Sequence, residues 1–574
     1  MLIPTDTVLR RDFYEHLVEK CAKSRGERTE TNGALYNYAF HGAKEEGRAA
    51  PYNKIGATLD TLCSLVYAPD SCKFDIVLGS TAGPEQVYWK QPLTKEITDV
   101  WRNSGTHLDY LAAIKLSLVY GCMLMNVVWD KNSGQCRTYL VDPHMFGVLR
   151  EDHMKLSDQE AFCLFRTMSV TQLESDLEGN PRKNSIMASV VEDEEQGKTG
   201  TLGAGMKRLV IGGSVGGIPG SIAKNQSGSS HPDGGAAGNG GVEYSYTPKI
   251  DAVAIVEMVD LYIWEDEHQE EGKTVPAGYR IVTMSAPNNV IIYDRPYSGM
   301  GLGDKPPFVV VRPLVGIHDY FWGESFTARF APFQDWLTER LGQIKGLLAK
   351  QFDPPSSAIG IAGIQEEQLV SMRSAGGQMS VSSPNGKFEF HRPEMPPDVF
   401  KEVDVLIKMF EDLAGLSNVM QGKGEAGVRS KGQTIALANL GAAPTKIKAV
   451  VTEESAEDVA TLMLQNLQKF SAQKFVAKTP AGPLTFAASQ FTRDYEVKVE
   501  GHSSSPIYQQ EDVEKAKILL EAKAIDRATF LEIIDPPNVQ LLLRRLEILE
   551  AKEAEQARIS AAQNVSEQSQ TDKK

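Results

Sequence analysis

FTARFAPFQDWLTERLGQIKGLL, residues 326–348, carries apolar side chains at Phe326, Phe330, Phe333, Leu337, Leu341, Ile344 and Leu348. Steps of three and four residues place all of them on one stripe of an α-helix. The spacing predicts a helix of about 25 residues, roughly 37 Å long at about 1.5 Å per residue. Gly342 and Gly346 sit one turn apart on another part of its surface, where a neighbour can approach closely. Asp353-Pro354-Pro355 ends it, because proline pushes the residue before it out of helical conformation.

A compact Gly-rich segment with strand-like pieces follows, from Ala358 to Arg392. Pro396-Pro397-Asp398 then opens a second helix, with Asp398 as the expected N-cap. Its stripe is Val399, Val403, Leu406, Phe410 and Leu413, and Gly415 ends it. Residues 415–432 mix glycines with Lys423, Arg429, Lys431 and Glu425, which describes a mobile, exposed loop. A third helical pattern runs from Gln433 to Phe470 and is expected to kink or break at Gly441 and Pro444.

The order is helix, small β-like module, helix, glycine-rich loop, long kinked helix. With Gly-Glu-Ser-Phe near 323 and Asp-Leu-Ala-Gly-Leu-Ser near 412, it resembles the bacteriophage portal proteins, in particular those of podophages. The resemblance implies an α+β portal fold with a mixed α/β wing, long stem helices, a small β-containing clip and a C-terminal helical crown. It divides the chain into a wing (1–315, with a flexible insertion at 192–245), first stem helix (316–352), clip (353–396) and second stem helix (397–416). A channel loop (417–432), the kinked helix with a return to the wing (433–507), and a crown with a polar tail (508–574) complete it.

What the resemblance implies for function is a dodecameric ring of this chain at one capsid vertex, assembled in the host cytoplasm. Double-stranded DNA would pass along its axis in packaging and ejection. Terminase large subunit, major capsid or scaffolding protein, and tail or adaptor proteins would dock on it. Lys423, Arg429 and Lys431 are then either solvated loop residues or, repeated around a ring, transient phosphate contacts.

Composition fits a non-membrane protein: 41% hydrophobic and 24% charged residues among 574, with no apolar run of spanning length. The N-terminus has no basic region leading into an apolar core, so no signal peptide is expected. The net charge of −15 argues against a tight, sequence-specific DNA binder, which needs basic faces to displace counterions. It suits a conduit along which DNA must slide. All six cysteines lie within the first 163 residues without metal-type spacing, and are expected to be buried free thiols.

The wing reads as follows. Helical patterns cover 5–25 (Val8, Phe13, Leu17, Cys21, with Asp6 as cap), 52–66 (Ile55, Leu59, Leu62, Leu65), 94–103 and 105–120. Strands are expected at 73–78, 122–130 and 136–141, the last two joined by a turn at Asn132-Ser133-Gly134. The run from Val141 to Val148 resembles the segment after the wing hairpin of podophage portals. A strand at 162–168 and a short capped helix at 169–177 follow. Fifteen of the 46 residues from 196 to 241 are glycine, with Ser, Asn and Lys between them; burial cannot offset ordering entropy there, so a loosely ordered insertion is expected. Gly212 to Gly217 lacks the lysine and following helix of a phosphate loop and reads as linker.

Further strands are expected at 252–264, 279–284, 290–293, 308–312 and 495–499. The acidic run Glu265–Glu271, with His268, is read as a solvated hairpin tip rather than a metal site. Helices are expected at 511–524, 527–534 and 539–557, ahead of a polar tail. No HExxH, paired CxxC, GxSxG or GxxxxGK[ST] motif occurs. The expectation is therefore a protein that is not an enzyme, without cofactor or metal, and not the ATP-driven motor itself. A soluble cytoplasmic enzyme whose site is assembled from distant residues is the alternative.

Overall fold

The computed structural model describes residues 3–4, 6–44, 50, 52–69, 72–130, 133–178, 180, 183–184, 186, 255–270, 273–275, 277–285, 290–296, 306–314, 320–352, 354, 356–359, 387–391, 393–394, 396, 398–416, 431–479, 482–500, 506–534, 541–549, 551–552 and 556. The expected insertion at 192–245 and most of the clip and channel loop lie outside these residues. The fold is mixed helix and sheet. It separates into two compact units, Met1–Thr61 with Ala112–Asn126 and Tyr139–Ala442, and Leu62–Leu111 with Val127–Thr138 and Ala443–Lys574.

In chain order the elements are α1 (Thr7–His41), α2 (Lys54–Val66), β1 (Phe74–Leu78), α3 (Gln86–Asn103), α4 (Thr106–Tyr120), β2 (Met123–Asp130) and β3 (Gln135–Val141). Then come β4 (Phe146–Val148), β5 (Ala161–Ser169), α5 (Val170–Asp176), β6 (Ile255–Glu265), β7 (His268–Glu270), β8 (Lys273–Val275), β9 (Gly278–Ser285), β10 (Val290–Pro296) and β11 (Phe308–Val311). Next are α6 (Phe326–Phe352), β12 (Ser356–Ile359), β13 (Lys387–Phe390), α7 (Val399–Ala414) and α8 (Lys431–Phe470). Then come β14 (Lys474–Thr479), β15 (Gly482–Ala487), β16 (Tyr495–Val499), α9 (Pro506–Glu521) and α10 (Arg527–Ile534), and residues 541–549 are helical as well.

The first unit is built on a five-stranded antiparallel sheet in the order β10-β9-β6-β5-β4. Every residue of β9 is buried, so both faces of the sheet are covered. On one face, Tyr14, Leu17, Val18 and Cys21 of α1 pack on Cys163, Leu261 and Val282, which are register neighbours across β5, β6 and β9. On the other, Phe146, Phe162, Tyr262, Phe308 and Phe321 form an aromatic layer, with Phe162 stacked on Tyr262 at 4.8 Å. Each side chain so buried contributes on the order of 1.5–3 kcal/mol.

Asp6 caps α1 as expected, accepting from Val8 N at 2.9 Å and Leu9 N at 3.2 Å. Two expectations for this helix need correction. It runs to His41 rather than to about residue 25, and Val8 is exposed, with Tyr14 and Val18 in the core instead. The second half escaped notice because its buried positions include Arg25 and Asn32, which break the apolar rhythm. Arg25 stacks on Phe165 at 4.3 Å. Arg28 donates to Tyr320 Oη at 2.8 Å and lies 4.8 Å from the Trp322 ring.

The acidic run does end in a small hairpin, β7 against β8. Its first member is not solvated, however. Glu265 is buried and takes Arg280 Nε at 2.8 Å, while Arg280 Nη1 reaches Asp294 at 2.6 Å. Tyr14 Oη donates to the same Asp294 at 3.1 Å. Residues before and after the hairpin thus share one buried cation, as buried charges require. Among the described residues, no group of three His, Cys, Asp or Glu side chains is placed to hold a metal ion.

At the turn after β3, Asp142 accepts from His144 N at 2.8 Å and also meets the imidazole Nδ1. Burial pushes the Asp142 carboxyl up, but the hydrogen bonds and attraction of His144 outweigh it and hold it below its ordinary value. A carboxyl with a lowered folded-state value adds stability above its unfolded value, near pH 3.9, and loses it as pH falls through the folded value. Asp142→Asn is therefore expected to lower stability at neutral pH and to flatten acid destabilisation below about pH 4. Thermal melts of both proteins from pH 7 to pH 3 check this; parallel curves would remove Asp142 from the account.

The second unit pairs β1 with β16, Phe74 opposite Val499 through Leu78 opposite Tyr495. Trp101 Nε1 donates to Tyr67 Oη at 3.2 Å, and Tyr110 Oη donates to Thr452 O on α8. A hairpin that the sequence did not suggest, β14–β15, places Phe486 against Trp89, with ring centroids 4.8 Å apart. The helix expected at 94–103 begins eight residues earlier, at Gln86, and continues through Pro92. All six cysteines are free and buried. Among the described residues, no helix is long and apolar enough to cross a membrane.

Candidate functional site: the stem helices and the loop between α7 and α8

Helix α6 begins at a tight backbone crossing. Gly121 (φ 101°) ends α4, and Gly323 (φ 67°) lies against it. A Cβ on Gly121 would lie 2.5 Å from Trp322 O, and one on Gly323 would lie 2.9 Å from Gly121 O. Ser325 Oγ donates to Val119 O and accepts from Ala328 N at 3.0 Å, which caps α6. Glu324 pairs with Arg329, and Phe326 is buried. Gly-Glu-Ser-Phe is thus a left-handed turn, an ion pair, a cap and the first core residue of α6.

The helix spans 27 residues, and its stripe is the expected one. Phe326, Phe330, Leu337 and Ile344 are buried, with Phe333, Leu341 and Leu348 half-buried. Phe330 packs on Phe410 of α7 at 4.6 Å, and Arg340 Nε reaches Glu402 at 2.9 Å. As α6 numbers rise the partner numbers fall, so α6 and α7 form an antiparallel pair. At the far end β12 pairs with β13, and Gln351 Nε2 donates to Pro393 O at 3.2 Å.

Two buried polar contacts fix the near end, and neither was anticipated. Gln334 is fully buried; its Oε1 accepts from Lys54 N at 2.9 Å, at the start of α2, and its Nε2 donates to Tyr52 O at 2.8 Å. It adds to the local cap of α2, where Asn53 Oδ1 accepts from Gly56 N at 2.9 Å. Lys54 Nζ meets Glu411 Oε1 of α7 at 2.6 Å, with side chains only 12% and 6% exposed. Beside them Tyr38 Oη donates to Asp335 at 2.7 Å. Burial, then that hydrogen bond, pushes the Tyr38 phenol well above its ordinary value.

For α7 two expectations are overturned. Asp398 makes no side-chain cap bond; its carboxylate is taken by Lys401 Nζ at 2.8 Å in solvent. Leu413 is 56% exposed, and Glu411 and Ala414 are buried in its place. The Gly415 end is as expected: φ is 74°, its N–H bonds Asp412 O, and Leu416 N bonds Glu411 O at 3.1 Å.

Lys423 and Arg429 lie outside the described residues. Lys431 is the first residue of α8, so the third long helix starts two residues earlier than read. It also continues through Gly441 and Pro444 as one element of 40 residues. Thr445, Ala449 and Thr452 are buried just beyond the proline, and such packing outweighs the one backbone bond that proline removes.

No family model matches the sequence, and no curated protein matches it. Among solved structures, one chain described as "Virion of native gene transfer agent (GTA) particle" aligns over 88% of this chain and 93% of its own. The TM-score is 0.40 and the identity 9%.

Proposed function

We propose that this chain is the repeating unit of a portal ring, the conduit through which double-stranded DNA enters and leaves a phage-type capsid. The observation that carries the reading is the run from Ser325 to Phe470. A capped helix of 27 residues and an antiparallel partner of 16 are joined through a two-stranded module, then lead across a glycine-rich loop into a 40-residue helix. The sequence signatures of the family fall on the start of the first stem helix and the end of the second. In this reading twelve copies surround the channel, capsid or scaffolding protein meets the wing, and terminase and tail proteins meet the clip.

The acidic chain leaves DNA free to slide, and Lys423, Arg429 and Lys431 form a belt of exchangeable phosphate contacts. Each contact is screened over a Debye length of about 8 Å at physiological salt. Replacing all three with Gln is expected to leave assembly unchanged and to alter packaged DNA per particle, because assembly in this reading rests on the apolar stripes of the long helices rather than on this loop. Electron microscopy and native mass report the first, and DNA content of purified particles the second. A wild-type chain that stays single at micromolar concentration would remove the ring; normal DNA content in the triple variant would return these charges to solvent.

A further inference from the structure

Between α3 and α4 the side chains of Ser104, Thr106, Thr138 and Asp109 form one line of oxygen contacts. Ser104 Oγ lies 2.6 Å from Val100 O and 2.8 Å from Thr106 Oγ1. Thr106 Oγ1 is 3.1 Å from Thr138 Oγ1 of β3, and Thr138 Oγ1 is 2.9 Å from Asp109 Oδ2 of α4. Thr106 and Thr138 are buried, while Ser104 and Asp109 are half-buried. Gly105, at φ 80°, makes the turn that lets Ser104 and Thr106 meet.

Each such contact needs a proton between its two oxygens, and each hydroxyl supplies one. Val100 O can only accept, so the Ser104 proton is committed to it. An ionised Asp109 would also only accept, which commits the Thr138 proton to the carboxylate. Thr106 would then have one proton for its contacts with both Ser104 and Thr138, and one of the two would set lone pairs face to face. A proton on Asp109 removes the conflict. Asp109 then donates to Thr138, Thr138 to Thr106, Thr106 to Ser104 and Ser104 to Val100 O, and every contact is filled.

We infer that a proton on Asp109 completes this line and clasps the turn between α3 and α4 to Thr138 of β3, and that the clasp opens when the medium becomes alkaline enough to remove it. Burial acts in the same direction, pushing the Asp109 carboxyl above its ordinary value against the Thr138 hydrogen bond and the attraction of His107. The first turn of α4, where Asp109 sits, favours the anion; the count of donors opposes it. Of the charges on the adjoining elements, Arg102 of α3 acts on Cys72, and Arg137 of β3 pairs with Asp130 at 3.0 Å. A carboxyl held above its unfolded value stabilises the fold fully below that value, about pH 3.9, and loses its contribution as pH rises through the folded value. The sign is opposite to that of Asp142.

Two measurements on the full chain test this. At about pH 5.5 ordinary carboxylates are ionised. In the infrared difference between wild type and Asp109→Asn at that pH, a protonated carboxyl band is expected from the wild type alone. Thr138→Val removes the acceptor of that proton and is expected to lose the band, which keeps the test open if Asp109→Asn does not fold. Hydrogen exchange of amides 104–109 and 135–138 is then followed from about pH 4 to about pH 8. The Asn side chain donates at every pH, so wild-type protection relative to Asp109→Asn is expected to fall on the order of tenfold over that range. A wild type without the band, a band that Thr138→Val leaves unchanged, or protection that parallels Asp109→Asn throughout overturns the inference.

Discussion

Glu411→Ala is expected to destabilise the packing of α7 on α2 by about 3–5 kcal/mol, the usual cost of stranding a buried charge. The stranded group is the Lys54 ammonium, which sits at 12% exposure against a carboxylate at 6%. The same substitution frees α7 from the start of α2, so loss should concentrate there. Hydrogen exchange of α2 and α7 amides reads it locally, which suits a chain of two units better than a single unfolding midpoint. Replacing both partners, Lys54→Met with Glu411→Leu, should restore most of the protection, because a well-packed apolar pair often equals a buried ion pair. An alanine variant whose α7 protection is unchanged would show the pair to be solvated in solution.

Gly121→Ala should be the second large effect. At φ 101° an L-residue is strained by on the order of 1–3 kcal/mol. The added methyl would also lie 2.5 Å from Trp322 O, a backbone atom that cannot swing away, and such overpacking costs about 1–3 kcal/mol more. Gly105 provides the contrast: its φ is 80°, but a Cβ there meets nothing within 4 Å. Gly105→Ala is thus expected to show the conformational cost alone. Melting points and soluble yields of the two variants separate strain from collision; equal losses would mean that the Gly121–Trp322 approach relaxes freely.

What could be read in advance follows from where the information lies along the chain. The α6 stripe, the Gly415 stop, the Asp6 cap and most strands are written within a few residues, as periodicity or as a terminal side chain. The two motifs that carried the portal resemblance have a common physical cause, since both are helix ends, where few residue types satisfy the backbone. Gln334 could not be found this way. Its partners lie some 280 residues away, and a glutamine within an amphipathic helix resembles any other. Leu413 was assigned to the covered face because its spacing fits; periodicity shows that a face is apolar, not which neighbour covers it. Arg25, Arg28 and Asn32 concealed the second half of α1 by the converse effect, polar residues in buried positions. Pro444 does not break the helix, because burial just beyond it outweighs the lost backbone bond.

The six sealed cysteines have a consequence for chemistry outside the fold. Burial pushes the thiols of Cys122 and Cys163 up, and that of Cys136 up to about 12. Thiolate, the form that attacks disulfides and alkylating agents, is correspondingly scarce. Transfer of this chain from a reducing to an oxidising medium is therefore expected to leave these buried thiols unchanged. A single cysteine introduced on the surface would then be the one position that a maleimide dye marks while the fold is intact.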